Sequence, residues 1–317
     1  MIKTLSPRRK KIFDKKTLVL ITMALPAAIW LLLIRYLPMF GIVLSFKNYR
    51  IYSKDPSLIN NIMHSKWVGF DNFKFLFTTT DSWVMIRNTI GYNALWIVLG
   101  LVIAVAIAIL MNELTQKFAA KAYQTMMFFP YFLSWVVVSY FVFAFLSPEN
   151  GLFTTMQKNM GITPTEWYSD ARPWPYILTI ANLWKNIGYS CVLYIAAISG
   201  IDSTQYEAAR IDGVSKWQEV RYVTLPHLRT IIIILFILNV GRIFNADFGL
   251  FYSVPMNSGP LFSTTQVIDT YVYRALINTG DVGMSSAAGL LQNVVGFICI
   301  VISNTIVRKV DSESSLF

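Results

Sequence analysis

The chain has 317 residues, 55% of them hydrophobic and only 14% charged, with a formal net charge of +10 and a mean hydropathy of +0.51. Soluble domains carry about a quarter charged residues, so this composition excludes a water-soluble globular fold. Several runs of about 18 to 25 nearly uncharged residues can each cross a hydrocarbon core roughly 30 Å thick, and none alternates with the period of two that a transmembrane barrel requires.

In chain order, a basic tail (1–17, "SPRRKKIFDKK") leads into "TLVLITMALPAAIWLLLI". This run is too long for a signal-peptide core and no A-x-A-like site follows it, so it is expected to be a retained first span. Six spans are expected: Leu18 to Phe46, broken by Pro26 and Pro38, then Ile86 to Met111, Gln124 to Leu146, Trp174 to Ser199, Thr230 to Phe251 and Val282 to Val307. They fill a membrane domain over 18–307, and a short tail, 308–317, closes the chain. The loop from Lys47 to Met85 contains "WVGFDNFKFLF", whose aromatic residues suit a short amphipathic helix at the membrane interface. Cys191 and Cys299 fall inside apolar runs, and His64 and His227 sit in different loops, so neither a disulfide nor a metal framework is expected.

Lysines and arginines set the orientation. One side of this arrangement, which includes both tails, carries fifteen of them against eight on the other. Both termini are therefore expected in the cytoplasm. The net charge is mostly this bias and calls for no nucleic-acid partner.

Between the fourth and fifth spans lies a charged island, "EAARIDGVSKWQEVRYVTLPHLRT". Thr204 with Glu207, and Ser215 with Gln218, fit the capping-box pattern S/T-x-x-E/Q and predict two short helices. Gly213 between them is free to take positive φ, and Pro226 is expected to end the second helix at Leu225. Ala208 and Ala209 leave the first helix a bare surface on which another backbone can come close. Read without further context, such a segment is an ordinary loop or rests on lipid headgroups with its arginines.

The order of residues in the island resembles the EAA loop of ATP-binding-cassette importer permeases, with Glu207, Ala208, Ala209, Asp212, Gly213, Leu225 and Pro226 all in place. The "DG" pair and the "TLPHLRT" ending are most similar to maltose-type carbohydrate permeases, within them to the subfamily that imports oligosaccharides or polysaccharide fragments. "WVGFDNFKFLF" and "VIDTYVYRALINTGDVGMSSAAGLLQNVVG" resemble other segments of that family, so the likeness spans nearly the whole chain. It departs at Thr230, where many relatives have a proline. The resemblance implies an all-α fold of six transmembrane helices, the type I importer permease fold, with a cytoplasmic coupling helix. It also implies a second related permease in a heterodimer, two ATP-binding subunits carrying ATP and magnesium, an extracellular solute-binding protein and a carbohydrate substrate. In such importers the island docks in a cleft of the ATPase, with Glu207 facing a basic group there. This chain has no GxxxxGK[ST] phosphate loop, so no cofactor is expected on it and no enzymatic activity of its own.

Polar residues at membrane depth usually face a bundle interior or a water-filled path. Asn182, Lys185, Asn186 and Tyr189 share one helical face by their spacing. Asn239, Arg242 and Asn245 recur at intervals of three, Gln292 and Asn293 sit between Gly289 and Gly296, and Asn93 adjoins a face of Asn88, Tyr92 and Trp96. Each alone can be read as an interhelical hydrogen bond worth about 0.6 to 2 kcal/mol. Together they favour a polar cavity, since amides and aromatic rings suit sugar hydroxyls and ring faces. Lys185 and Arg242 leave an acidic or sulfated sugar open. The two glycines are better explained by close helix packing than by ligand contact. Rival readings are a permease for a polyamine or phosphate, a transporter independent of an ATPase and a membrane-embedded hydrolase. The first would show clustered carboxylates or more cations, the second would not need the island, and the third would need paired acids where the spans offer only Asp247.

Overall fold

The computed structural model describes residues 15–50, 57–79, 81–114, 116–311 and 315. The basic residues of the N-terminal tail up to Lys11 lie outside them. Helix α1 (Lys15–Leu31) runs on through a π turn (Leu32–Tyr36) and a 3-10 segment (Leu37–Phe46). Helices α2 (Leu58–His64) and α3 (Phe75–Thr78) belong to the following loop, which leads into α4 (Ser82–Asn112). Next come α5 (Lys117–Phe128), α6 (Trp135–Leu146), α7 (Leu152–Asn159), α8 (Trp174–Ser199) and α9 (Ser203–Ile211). A continuous helix follows, made of α10 (Lys216–Glu219), a π turn (Val220–Thr224) and α11 (Leu225–Val240). The chain ends with α12 (Phe248–Ser253), α13 (Phe262–Thr265), α14 (Ile268–Thr279) and α15 (Val282–Val310).

Among the described residues, four helices are long and apolar enough to cross a membrane: Lys16–Phe46, Ser82–Asn112, Lys216–Val240 and Val282–Lys309. The number rises to six when two bent pairs each count as one span. One pair is Phe118–Phe132 with Trp135–Leu146, bent by 98°, and the other is α8 with α9, bent by 71°. The third span is thus not the straight helix expected over Gln124 to Leu146. Pro130 sits in a 3-10 turn, Leu133 is extended, and Ser134 starts a new helix by accepting a hydrogen bond from the Val137 N–H.

The fifth span differs as well. It begins at Lys216 instead of Thr230 and ends at Val240 instead of Phe251. Pro226 does not end the helix, because the π turn before it relieves the usual conflict. A proline lacks an N–H and its ring clashes with the carbonyl four residues back. Here the Leu225 N–H donates to the Val220 carbonyl five residues back, and the widened turn lets Pro226 enter as an early residue of α11. The first span repeats the device: the Leu37 N–H donates to the Leu32 carbonyl just ahead of Pro38. Pro38 therefore does not interrupt the first span, and Pro26 lies inside α1 without breaking it.

The described residues of the loop before α4 form more than one interfacial helix. Residues 47–48 pair antiparallel with 66–67, and the Asn72 amide donates to the Ser45 and Lys47 carbonyls at 3.0 Å. Phe46 stacks on Trp67 and meets Phe70 edge-on, while Phe75 and Leu76 are buried against Met85, Ile268 and Ala288.

Two further apolar clusters frame the functional region. One joins Tyr92 of α4, Trp174 and Leu178 of α8, and Leu250, Phe251 and Val254. The other joins Ala104, Val105 and Ala108 of α4 with Cys191, Tyr194 and Ile198 of α8 and Leu228 of α11. Small residues permit the closest approaches, as expected where packing replaces the hydrophobic effect between helices. A Cβ on Gly188 would collide with the Met127 carbonyl, and one on Gly296 with the Gly241 carbonyl. Gly289 does not share this role, because a Cβ there would meet nothing within 4 Å.

Candidate functional site

Between the two framing clusters, α4, α8, α11 and the turn after α11 leave a cavity of about 350 Å³. Asn93, Trp96 and Gly100 line it from α4, and Asn182, Asn186 and Tyr189 from α8. Asn239 lines it from α11, and Arg242, Asn245 and Asp247 from the turn. The i, i+4, i+7 spacing on α8 is what brings its three polar residues to one side. A second hollow of about 410 Å³ shares Arg242 and Asn245 with the first and adds Gly241, Asn293, Gly296 and Phe297.

The polar groups fall into two kinds. Some are committed to holding the helices together. The Asn93 amide donates to the Ile243 and Asn245 carbonyls at 2.9 and 3.0 Å, tying α4 to the turn. Asn88 donates to the Gln266 carbonyl, and Trp96 donates from its indole N–H to Thr179. Asp247 caps α12 by accepting from the Gly249 and Leu250 N–H groups, and its other oxygen accepts from the Trp135 indole at 2.6 Å. Others face the cavity without a partner: among the described residues, the side chains of Asn182, Asn186, Asn239, Arg242 and Asn245 make no hydrogen bond within the chain. Tyr189 presents a ring that stacks on Tyr131 at 4.7 Å.

Two expected members of the path lie elsewhere. Lys185, 8% exposed, turns away from the cavity and donates its ammonium to the Tyr131 carbonyl at 2.7 Å. Its charge lies 5.3 Å from the ring centres of both Tyr131 and Trp135. Gln292 is buried and donates to the Phe244 carbonyl and to Asp269. Asn293 faces only the second hollow and donates to the Gly289 carbonyl.

The charged island forms a knob at the far end of α11. Helix α9 is capped by Asp202, which accepts from the Thr204 N–H at 3.0 Å; the expected cap, Thr204, lies inside the helix. That backbone N–H holds the Asp202 carboxyl below its ordinary pKa. The helix closes in a Schellman turn: the Gly213 N–H donates to the Arg210 carbonyl and the Val214 N–H to the Ala209 carbonyl. Gly213 takes the left-handed conformation this motif needs, with φ +74. The second predicted capping box, Ser215 with Gln218, is formed and starts α10.

Glu207, Ala208 and Asp212 are exposed, and Glu207 makes no ion pair among the described residues. Leu225 is half-buried and packs against the cluster of α4 and α8, while Pro226 is exposed. Beneath them Glu219 is buried and accepts from Arg210 and Lys216, each at 3.3 Å. Lys216 also reaches Glu113 at the end of α4, at 2.9 Å, and the Tyr206 hydroxyl meets Thr224 Oγ1 in the π turn. Sequence reading missed this network. Its one signal is the i, i+3 spacing of Lys216 and Glu219, and nothing in the pattern says that Glu219 turns inward.

Residues 96–312 match the model of a family described as the binding-protein-dependent transport system inner membrane component. The chain belongs to this family. It is a multi-pass membrane protein and a transport component. Among its relatives, the protein LplB of Bacillus subtilis (strain 168) is 32% identical over 91% of this chain and 88% of its own length. The polygalacturonan/rhamnogalacturonan transport system permease protein YteP of the same organism is 32% identical over 96% of this chain and 91% of its own. A solved bacterial ABC transporter involved in the import of the acidic polysaccharide alginate superposes with a TM-score of 0.82 at 29% identity. That match covers 95% of this chain and 98% of the other. A second crystal structure of an alginate ABC transporter, in complex with an alginate pentasaccharide-bound periplasmic protein, superposes with a TM-score of 0.81.

Proposed function

We propose that the chain is one of two permease subunits of an ATP-driven importer and carries an oligosaccharide through the cavity between α4, α8 and α11. The observation that carries this reading is structural continuity. The exposed knob at 203–219 and the cavity-lining Asn239 are joined by a single helix, Lys216–Val240. A helix of 25 residues spans about 37 Å at 1.5 Å per residue, enough to pass a movement from one membrane face to a mid-depth cavity as a rigid body. The unpartnered amides and the Tyr189 ring offer what sugar hydroxyls and ring faces require. Relatives named for polygalacturonan and alginate transport support a saccharide cargo.

In this reading both termini and the knob are cytoplasmic, as the lysine and arginine bias of the loops indicates. Glu207, Ala208, Ala209 and Asp212 form the face that docks on one of two separate ATP-binding subunits, where ATP and magnesium are held. Gly213 shapes the turn, and Leu225 and Pro226 begin the transmitting helix. A second related permease completes the cavity, and an extracellular binding protein delivers the sugar. Uptake of radiolabelled oligosaccharides by cells carrying Glu207→Lys tests the reading, with membrane levels checked by immunoblot. Uptake is expected to be lost at an unchanged membrane level. Retained uptake, in that variant or in a strain without the ATPase, refutes the role given to the knob.

A further inference from the structure

The charges around the cavity do not cancel, and their imbalance names a ligand chemistry. Three side chains with full charge stand in or beside it: Lys185, Asp247 and Arg242. Lys185 is withdrawn behind the Tyr131 and Trp135 rings, with its ammonium bonded to the Tyr131 carbonyl. Asp247 is taken up by two backbone N–H groups and the Trp135 indole, and Trp135 is the same ring beside which Lys185 sits. These two opposite charges are thus neighbours across one indole. Asp269, packed behind the turn, accepts from the Ala246 N–H and from Gln292 and does not line the cavity. Arg242 alone keeps its charge and its donors uncommitted, with no hydrogen bond or ion pair from its side chain among the described residues.

We infer that Arg242 is the carboxylate-binding group of this path, and that the sugar it takes is a uronate oligomer. This rests on the reading of the cavity as a sugar path. A guanidinium presents a planar fork that pairs with a carboxylate through two parallel hydrogen bonds. A hydroxyl of a neutral sugar uses only part of that fork. The position favours an oligomer over a single sugar. Arg242 and Asn245 form the shared wall of the two hollows, of about 350 and 410 Å³, so a chain crossing from one to the other passes the guanidinium at the junction. On the cavity side, Asn182, Asn186 and Asn239 are left for hydroxyls.

The test is equilibrium binding to the complete importer in proteoliposomes, with trigalacturonate and its neutral counterpart galactotriose as probes. Wild type is expected to bind trigalacturonate about tenfold or more tightly than galactotriose, the range of a hydrogen bond to a charged partner, and that preference should shrink as salt rises. Arg242→Gln is expected to erase the preference by weakening trigalacturonate binding far more than galactotriose binding, and Arg242→Lys to restore part of it. If Arg242→Gln does not assemble, Arg242→Lys carries the test, and a preference undiminished in that variant overturns the inference. Equal loss of both probes in Arg242→Gln, or a wild type that favours galactotriose, overturns the uronate site and leaves the sugar path standing. Binding of neither probe by wild type overturns the sugar path and the uronate site together.

Discussion

Glu219 ties α10 to α9 through Arg210 and steadies Lys216, which reaches the end of α4, and its charge can be removed without changing the shape of the side chain. In Glu219→Gln the buried carboxylate, 4% exposed, no longer pairs with Arg210 and Lys216 at 3.3 Å. Breaking a fully buried pair costs about 3 to 5 kcal/mol, but the two cations here are 59% and 61% exposed and re-enter water readily. Lys216 also keeps Glu113 at 2.9 Å. What is lost is therefore close to one hydrogen bond to a charged group, about 2 kcal/mol. If that energy holds the knob in its docking pose, the balance between held and released knob shifts by about thirtyfold. Sugar uptake should then fall by about tenfold or more at an unchanged membrane level, and limited proteolysis should cut within 203–219 faster than in wild type. Uptake and protease resistance both equal to wild type would refute the idea that this network positions the knob.

A Cβ on Gly213 meets nothing within 4 Å, so Gly213→Val costs only its left-handed conformation, φ +74, about 1 to 2 kcal/mol. Uptake should fall, and Gly213→Asn, which tolerates that conformation, should retain most of it. Gly188→Ala drives a methyl into the Met127 backbone, so the purified protein should melt several degrees lower and accumulate poorly in the membrane. Asp202→Ala removes the cap of α9 and loosens its first turn, which faster backbone hydrogen exchange of 203–211 will read. Because the folded pKa of Asp202 is depressed by the Thr204 N–H, its contribution is present above the ordinary carboxylate value, about 3.9. It is lost as pH falls below that value through the depressed one, so the exchange difference between wild type and Asp202→Ala should vanish in strong acid.

Periodicity carried the cavity far because helices obey it. Asn182, Asn186 and Tyr189 meet there at the spacing of one helical face, and Asn239 joins them from α11. Lys185 occupies the edge of the same face and was drawn elsewhere by a feature that periodicity does not show. The break of the third span leaves carbonyls near its 3-10 turn without helical partners, and the Tyr131 carbonyl takes the Lys185 ammonium. A proline in an apolar run gives no single answer. Pro130 accompanies a bend of 98°, whereas Pro38 and Pro226 sit inside continuous helices because a π turn precedes each. That choice depends on neighbouring backbone and packing, which no local pattern records. The knob was legible in outline through Gly213 and the Ser215 box, but its anchor was not. Glu219 reads as one more surface charge until α4 places Glu113 against Lys216.

The π turn at Val220–Thr224 lies between the exposed knob and the helix that lines the cavity. Such turns are less regular than α-helix and frequently occur at functional positions. Here the turn is braced on both sides. Tyr206 of α9 reaches Thr224 within it, and Val220 and Thr224 are buried while Arg221 and Tyr222 face outward. A push on α9 therefore reaches α11 by two routes, the helix itself and the Tyr206 contact. The two routes act together only while Glu219 of α10 keeps α9 locked to it through Arg210. Cutting the Tyr206 route alone, with Tyr206→Phe, leaves the helix and the Glu219 lock in place, so uptake should fall less than in Glu219→Gln. The opposite ranking would place transmission in the side-chain contact and not in the continuous helix.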